Sequence, residues 1–205
     1  MNRPFIFPLI VILLSLTLAS CAAVKEKTII EPANWKAEQL KRQQISVWEI
    51  RGRLGLQTEK TGGVLDIIWK QSEEDYSIRL IAPLGAGSYL IQGNDEYADV
   101  RYPDGRKEII SNVDDAFLSA LQVKLPVSAI RDWLRGLPAK QMSIDKINWN
   151  DKGLLNRLQQ AGWNVEMKKY TGADILLPHA IYLSRDDKPE LDIRLILRQW
   201  LIDNQ

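Results

Sequence analysis

The chain holds one thiol and one imidazole, Cys21 and His179, so the chemistry open to it is narrow. A single cysteine excludes a disulfide framework within the chain and any cluster of thiolate ligands for zinc or iron–sulfur. His179 is the one imidazole base, follows Leu177-Pro178 at an expected strand start, and has no Gly-x-Ser-x-Gly elbow to work with. It reads as a loop or strand-edge residue. Carboxylates adjoin in Glu73-Glu74-Asp75 and Asp186-Asp187, but consecutive acids in hairpin turns are ordinarily solvated. No Gly-rich phosphate loop ending in Lys-Ser/Thr is present, which removes direct use of ATP. The expectation is a protein without catalytic or metal-binding residues.

What remains is the thiol and its position. Arg3 is followed by an apolar run from Phe5 to Leu18, broken by Pro8, Ser15 and Thr17 and ending in the small residues Ala19 and Ser20. The run is shorter than the ~20 residues a bilayer-spanning helix needs, so it predicts an export leader with cleavage beside Cys21. Leu18-Ala19-Ser20-Cys21 resembles the lipobox of bacterial lipoproteins. That resemblance implies cleavage before Cys21, a diacylglycerol on its sulfur and an acyl chain on the new amine, with no other cofactor. The alternative is a cysteine that happens to follow an ordinary cleavage site.

With 27 Lys+Arg against 26 Asp+Glu the formal charge is +1, and loss of the leader, whose one charge is Arg3, leaves the mature chain neutral. No basic run with interleaved aromatics appears, so nucleic acid is not an expected partner. Attachment to a membrane must come from lipid, and two or three acyl chains hold firmly where one holds marginally. At 45% apolar and 26% charged residues the remainder has the composition of a globular protein. The expected organisation is a leader over 1–20, a lipidated N-terminus and tether over 21–33, and one domain, a monomer, over 34–205.

The domain opens with a short helix from Asn34, as cap, to about Ile45. The period then becomes two: Ile50, Gly52, Leu54 and Leu56, then Leu65, Ile67 and Trp69 beyond a Gly62-Gly63 turn, then Tyr76, Ile78 and Leu80, then Tyr89 and Ile91. Another hairpin turns at Pro103-Asp104-Gly105. Connections this short force antiparallel pairing. Helical spacing returns in Val113, Ala116, Phe117, Ala120 and Leu121, with Ser111, Asp114 and Asp115 at the start, and in Val127, Ile130, Trp133, Leu134 and Leu137, with Pro126 in the first turn and Gly136 and Pro138 at the end. Strand spacing resumes through Ile147 and Trp149, Leu154 and Leu158, Trp163 to Met167, Ile181 and Leu183, and Leu191 to Leu197.

Ten or eleven antiparallel strands around two or three short helices predict a mainly β, α+β fold. A sheet this large must stack or curl, and an unclosed half-barrel with the two central helices as a lid over an apolar cavity is one solution. A solid core satisfies the same periodicity. Candidate lining residues are Leu54, Leu56, Leu65, Ile67, Trp69, Ile78, Leu80, Phe117, Leu121, Ile130, Trp133 and Leu134, with Trp149 and Trp163 as further aromatics.

Arg51-Gly52-Arg53-Leu54, the Trp69 strand, Arg79-Leu80-Ile81-Ala82-Pro83-Leu84-Gly85, Leu125-Pro126, Ile130-Arg131-Asp132-Trp133-Leu134-Arg135-Gly136-Leu137-Pro138 and Gly162-Trp163 occur in this order. Together they resemble the LolB family of outer-membrane lipoprotein receptors. The resemblance implies an eleven-stranded unclosed barrel with a helical lid, acceptance of cargo lipoproteins from the periplasmic carrier LolA, and delivery of their acyl chains into outer-membrane lipid. It also implies that Leu84, between Pro83 and Gly85, is the leucine that projects toward the membrane; from the residues alone, a turn leucine folded back over the core is the alternative. Ala22 after the cysteine, rather than Asp, implies outer-membrane residence facing the periplasm under the common enterobacterial sorting rule. A noncatalytic assembly scaffold and, less favoured, a lipid hydrolase are the alternative functions.

Overall fold

The computed structural model describes residues 31–203 apart from 61 and 112. The expected leader, Cys21 and most of the tether lie outside the described residues. Eleven strands form one antiparallel sheet: β1 (Val47–Gln57), β2 (Gly62–Ser72), β3 (Asp75–Ile81), β4 (Ser88–Gly93), β5 (Ala98–Arg101), β6 (Lys107–Ile110), β7 (Ile144–Trp149), β8 (Leu155–Gln160), β9 (Trp163–Thr171), β10 (Leu177–Arg185) and β11 (Lys188–Ile202). Their order is β6-β5-β4-β3-β2-β1-β11-β10-β9-β8-β7. Two meanders are thus joined where the first strand pairs with the last, and β6 and β7 are the two edges.

Among the described residues, three α-helices accompany the sheet: α1 (Trp35–Gln43), α2 (Val113–Leu121) and α3 (Val127–Leu134). The chain must travel from edge β6 to edge β7, and α2 and α3 make that crossing over one face. Packing follows, with α2 against β4, β5 and β6 and α3 against β10. The strand alternation decides which face they cover: Ile50, Leu54, Ile67, Trp69, Ile78, Leu80, Ile91 and Val100 are buried together with Ala116, Phe117, Ile130, Trp133 and Leu134 in one cluster. The architecture is the expected unclosed, lidded half-barrel, and its core lies between sheet and lid.

The two ends of the sheet differ. Antiparallel order puts the β1–β2, β3–β4, β5–β6, β8–β9 and β10–β11 turns at one end, here the tip, and the β2–β3, β4–β5, β7–β8 and β9–β10 turns at the other, the base. Between Arg51 and Gly52 the β1–β11 register shifts, a bulge that brings the strands close. A Cβ at residue 52 would stand 2.3 Å from the Ile196 carbonyl oxygen, so only glycine fits there.

Local details depart from the sequence expectations. Asn34 makes no side-chain cap to α1 and instead lies against Gly153, and the helix stops at Gln43 rather than Ile45. Pro126 sits just before α3 instead of within it, because Asp114 Oδ1 already accepts from the Val127 amide, at 2.8 Å, and so supplies the cap from α2. Leu154 precedes β8 and belongs to the preceding turn, where its amide bonds Asn150 Oδ1 at 3.1 Å.

Candidate functional site

The turn between β3 and β4 is the most unusual surface feature. Pro83–Gly85 forms a single 3-10 turn closed by the Ala86 amide on the Pro83 carbonyl at 3.2 Å, while the Ala82 amide reaches Gly87 at 3.0 Å. Leu84 adopts φ 56°, ψ 26°, the left-handed region, which costs an L-residue about 1–2 kcal/mol. Its side chain is 105% exposed, the most exposed large apolar residue among those described. Gly87 has φ +102° and would press a Cβ to within 2.6 Å of the Pro103 side chain, so the loop rests on the β5–β6 hairpin. A strained backbone holding a leucine wholly in water is a cost the fold retains, and such outliers cluster at functional positions.

The predicted lining residues converge. Leu54, Ile67, Trp69, Ile78 and Leu80 come from the sheet, and Phe117, Ile130, Trp133 and Leu134 from the lid, and all are buried in the same cluster. Leu56, Leu65 and Leu121 are half-buried at its margin. The lid lies down, and its own side chains fill the curve of the sheet. Trp163 is also part of the cluster, with its ring 6.2 Å from that of Trp133. Trp149 is half-buried at the margin of the cluster, with its ring 5.7 Å from that of Trp35 of α1. Leu118, Val123, Trp163 and Leu191 line an opening of about 450 Å³ at the tip, beside the α2–α3 connection.

Polar anchoring of the two lid helices is unequal, and sequence patterning missed it. Gln160 is fully buried on β8. Its Oε1 accepts from Trp133 Nε1 and the Ala139 amide, both at 3.0 Å, and its Nε2 donates to the Ala139 and Met142 carbonyls at 2.8 and 2.9 Å. Arg135 pairs with buried Asp132 and donates to the Ile45 carbonyl at 2.9 Å. Arg131 meets Asp95 at 3.1 Å. These bonds fix α3.

The helix α2 is held by a smaller, partly exposed group. Tyr102 donates to Glu108 Oε2 at 2.6 Å, Ser119 of α2 donates to the same oxygen at 2.9 Å, and the Tyr102 and Ser119 hydroxyls touch. The Arg106 guanidinium stacks 3.7 Å over the Tyr102 ring. Hydrogen bonds from Tyr102 and then Ser119 hold the Glu108 carboxyl below its ordinary range. Burial pushes the Asp114 carboxyl up against the pull of the Val127 and Ser128 amides.

The other sequence candidates are structural. His179 Nδ1 lies 3.2 Å from the Leu197 carbonyl on the neighbouring strand. Asp187 is bonded by Arg185 at 2.6 and 2.9 Å, Asp186 accepts from Asn164 at 2.7 Å, and Glu73, Glu74 and Asp75 are exposed around the β2–β3 turn. Among the described residues no group of three His, Cys, Asp or Glu is placed to hold a metal ion, and no helix is long and apolar enough to cross a membrane.

Solved structures share the architecture. A putative outer membrane lipoprotein-sorting protein domain from Vibrio parahaemolyticus superposes with TM-score 0.54 at 10% identity, over 83% of this chain and 92% of that one. A LolA superfamily protein from Nitrosomonas europaea gives 0.52 at 8% identity over 83% and 94%. Those likenesses speak for the fold. Sequence relatives are nearer: proteins named Outer-membrane lipoprotein LolB from Alkalilimnicola ehrlichii and Nitrosococcus oceani are 32% and 31% identical, covering 92% and 93% of this chain and 93% and 95% of theirs. The family model described as Outer membrane lipoprotein LolB matches residues 46–200, from the start of β1 through both lid helices to the end of β11. The chain belongs to the LolB family of outer-membrane lipoproteins.

Proposed function

We propose that this protein, anchored through lipid on Cys21 and facing the periplasm, takes lipoproteins from the carrier LolA and passes their acyl chains into the outer membrane. The observation that carries this reading is Leu84, held fully exposed in a strained turn within a chain of this family. Exposing one ~14-carbon chain to water costs on the order of 10 kcal/mol at ~0.8 kcal/mol per CH₂, so cargo needs continuous apolar shelter. The lid supports such shelter without an empty void. When α2 lifts, Phe117 and its neighbours leave the curve of the sheet and an acyl chain takes their place, one apolar surface exchanged for another. The lining residues named above, with Leu54, Leu80 and Ile130 among them, are the acyl-contacting set on this reading. Direction needs little: a pocket more favourable than the carrier's by ~1.4 kcal/mol biases transfer tenfold, with no use of ATP.

Leu84 acts at the last step. Flanked by Pro83, Gly85 and Ala86, it meets lipid without dragging charge with it. Replacing Leu84 with Glu is expected to reduce delivery to vesicles by tenfold or more while the melting temperature stays unchanged, because the side chain touches nothing in the fold. Delivery at the wild-type rate, or a protein that no longer folds, contradicts the assignment.

A further inference from the structure

The outer face of the sheet, turned away from the lid, holds its cations beside carboxylates over β1, β2, β8, β9 and β11. Glu49 is paired with Arg51 and Lys70, Asp66 with Arg53 and Arg198, Asp192 with Arg194, and Glu166 with Arg157 and Lys168, every separation being 3.6 Å or less. The strands β3 to β6 break that pattern. Inward parity belongs to Ile78, Leu80, Ile91 and Val100, which puts Arg79, Leu90 and Arg101 on the outer face. Antiparallel register lines these three up with Lys107, in the order Arg79, Leu90, Arg101, Lys107 across β3 to β6. All three cations are exposed. Among the described residues Arg79 and Lys107 have no carboxylate partner, and Arg101 lies 3.8 Å from Asp99, too far for a hydrogen bond. Arg106 offsets Asp104 in the β5–β6 turn, while the base turns of the same strands bear exposed Glu73, Glu74, Asp75 and Glu96. This half of the sheet is positive toward Leu84 and negative away from it.

We infer that Arg79, Arg101 and Lys107 form a docking strip for the phosphates of anionic phospholipids in a bilayer, an inference that rests on the contact of Leu84 with lipid proposed above. The strip sets the outer face of β3 to β6 against the headgroups while Leu84 enters beyond them. It is continuous with the Leu84 loop, since β3 leads from Arg79 into Pro83 and the loop rests on the β5–β6 hairpin. With strands ~4.8 Å apart, the three cations spread over about 14 Å, and at ~3.3 Å per residue Arg79 stands about 10 Å behind the start of the turn at Ala82. A loop that enters the headgroup–acyl boundary by about 5–10 Å leaves cations at that height among the phosphates, with long stems that adjust their depth. Leu90 between Arg79 and Arg101, and Ile109, 78% exposed on the outer face of β6, add apolar contact between the charges. Anionic lipid attracts each such cation, and salt screens the attraction.

Ala86 is exposed beside Leu84, so a dye there reports entry of the loop into lipid. Full-length lipidated protein carrying Ala86→Cys, whose added thiol is the free one once Cys21 is acylated, is labelled with the environment-sensitive fluorophore NBD. It is then reconstituted into phosphatidylcholine vesicles with or without phosphatidylglycerol. The expected result is emission at least threefold higher with phosphatidylglycerol, a gain abolished by high salt and by the combined change Arg79→Gln, Arg101→Gln and Lys107→Gln. The gain is expected to survive the matched change Arg157→Gln, Lys168→Gln and Arg194→Gln; all six side chains are exposed, so neither triple variant disturbs the core. Emission that ignores phosphatidylglycerol, a gain that the first triple variant keeps, or a gain lost equally in both overturns the strip and leaves the carrier role standing. A first triple variant that keeps the gain but no longer receives cargo from the carrier also overturns it, and assigns those cations to an acidic protein face. No rise in emission on either kind of vesicle removes the lipid contact of Leu84 and the strip with it.

Discussion

Leu84 shows how much a single residue can be made to do by its two neighbours. Pro83 fixes the start of the turn and Gly85, at φ +74°, continues it, with Leu84 between them in the left-handed region and its side chain fully exposed. Asparagine tolerates that backbone far better. The change Leu84→Asn is therefore expected to raise unfolding free energy by about 0.5–1 kcal/mol in urea denaturation, yet to impair delivery as the Glu variant does. Loss of stability on that change would mean that Leu84 is part of the packing. The turn itself was legible from Pro-Leu-Gly, and the outward leucine was implied by family resemblance. The left-handed strain was not legible, since nothing in the residue types of a Pro-Leu-Gly turn requires it at the leucine.

At the scale of elements, the two lid helices differ in polar anchoring, α3 being held by several buried hydrogen bonds and α2 by a smaller, partly exposed group. Gln160→Leu leaves Trp133 Nε1, the Ala139 amide and the Met142 carbonyl without partners, the Ala139 carbonyl keeping the Met142 amide, and is expected to cost about 2–4 kcal/mol of stability. Ser119→Ala, by contrast, costs at most about 1 kcal/mol and speeds amide exchange in α2 while leaving α3 protected. The α2 anchor also carries a sign with pH. Because the folded Glu108 carboxyl sits below its ordinary value of 4.5, the stability it contributes is complete above that value and is lost as pH falls through the lower folded one. Exchange in α2 should quicken on acidification below about pH 4.5, and Glu108→Gln should abolish that dependence; an unchanged profile in the variant would assign it to another group. Strand and helix periodicity revealed both lid helices and their apolar stripes. It gives no signal for Gln160, although that residue shares the inward parity of Leu158 on β8, because a polar side chain breaks the apolar alternation. Tyr102, Glu108 and Ser119 gave none at all, since three separate elements bring them together.

On the scale of the molecule, the sheet order explains why parity alone could not tell a half-barrel from a sandwich. Each hairpin is local and readable from its turn, whereas the pairing of β1 with β11 joins the first strand to the last and has no local signature. The same topology gathers Glu73, Glu74, Asp75, Asp95, Glu96 and Asp151 into the turns at the base, acids that look unremarkable while dispersed along the chain. On the function proposed above, the tip, with Leu84, is the end that approaches the bilayer, since an anionic lipid surface repels the acidic base. The central claim is that the lidded curve of the sheet receives acyl chains from another protein before lipid does. Mixing the folded protein with a carrier–lipoprotein complex, in the absence of vesicles, and following which partner holds the cargo tests it most directly. The account predicts that cargo moves to this protein and that Leu84→Glu accepts it equally well; cargo that stays on the carrier, with both proteins folded, would contradict it and favour a noncatalytic scaffold.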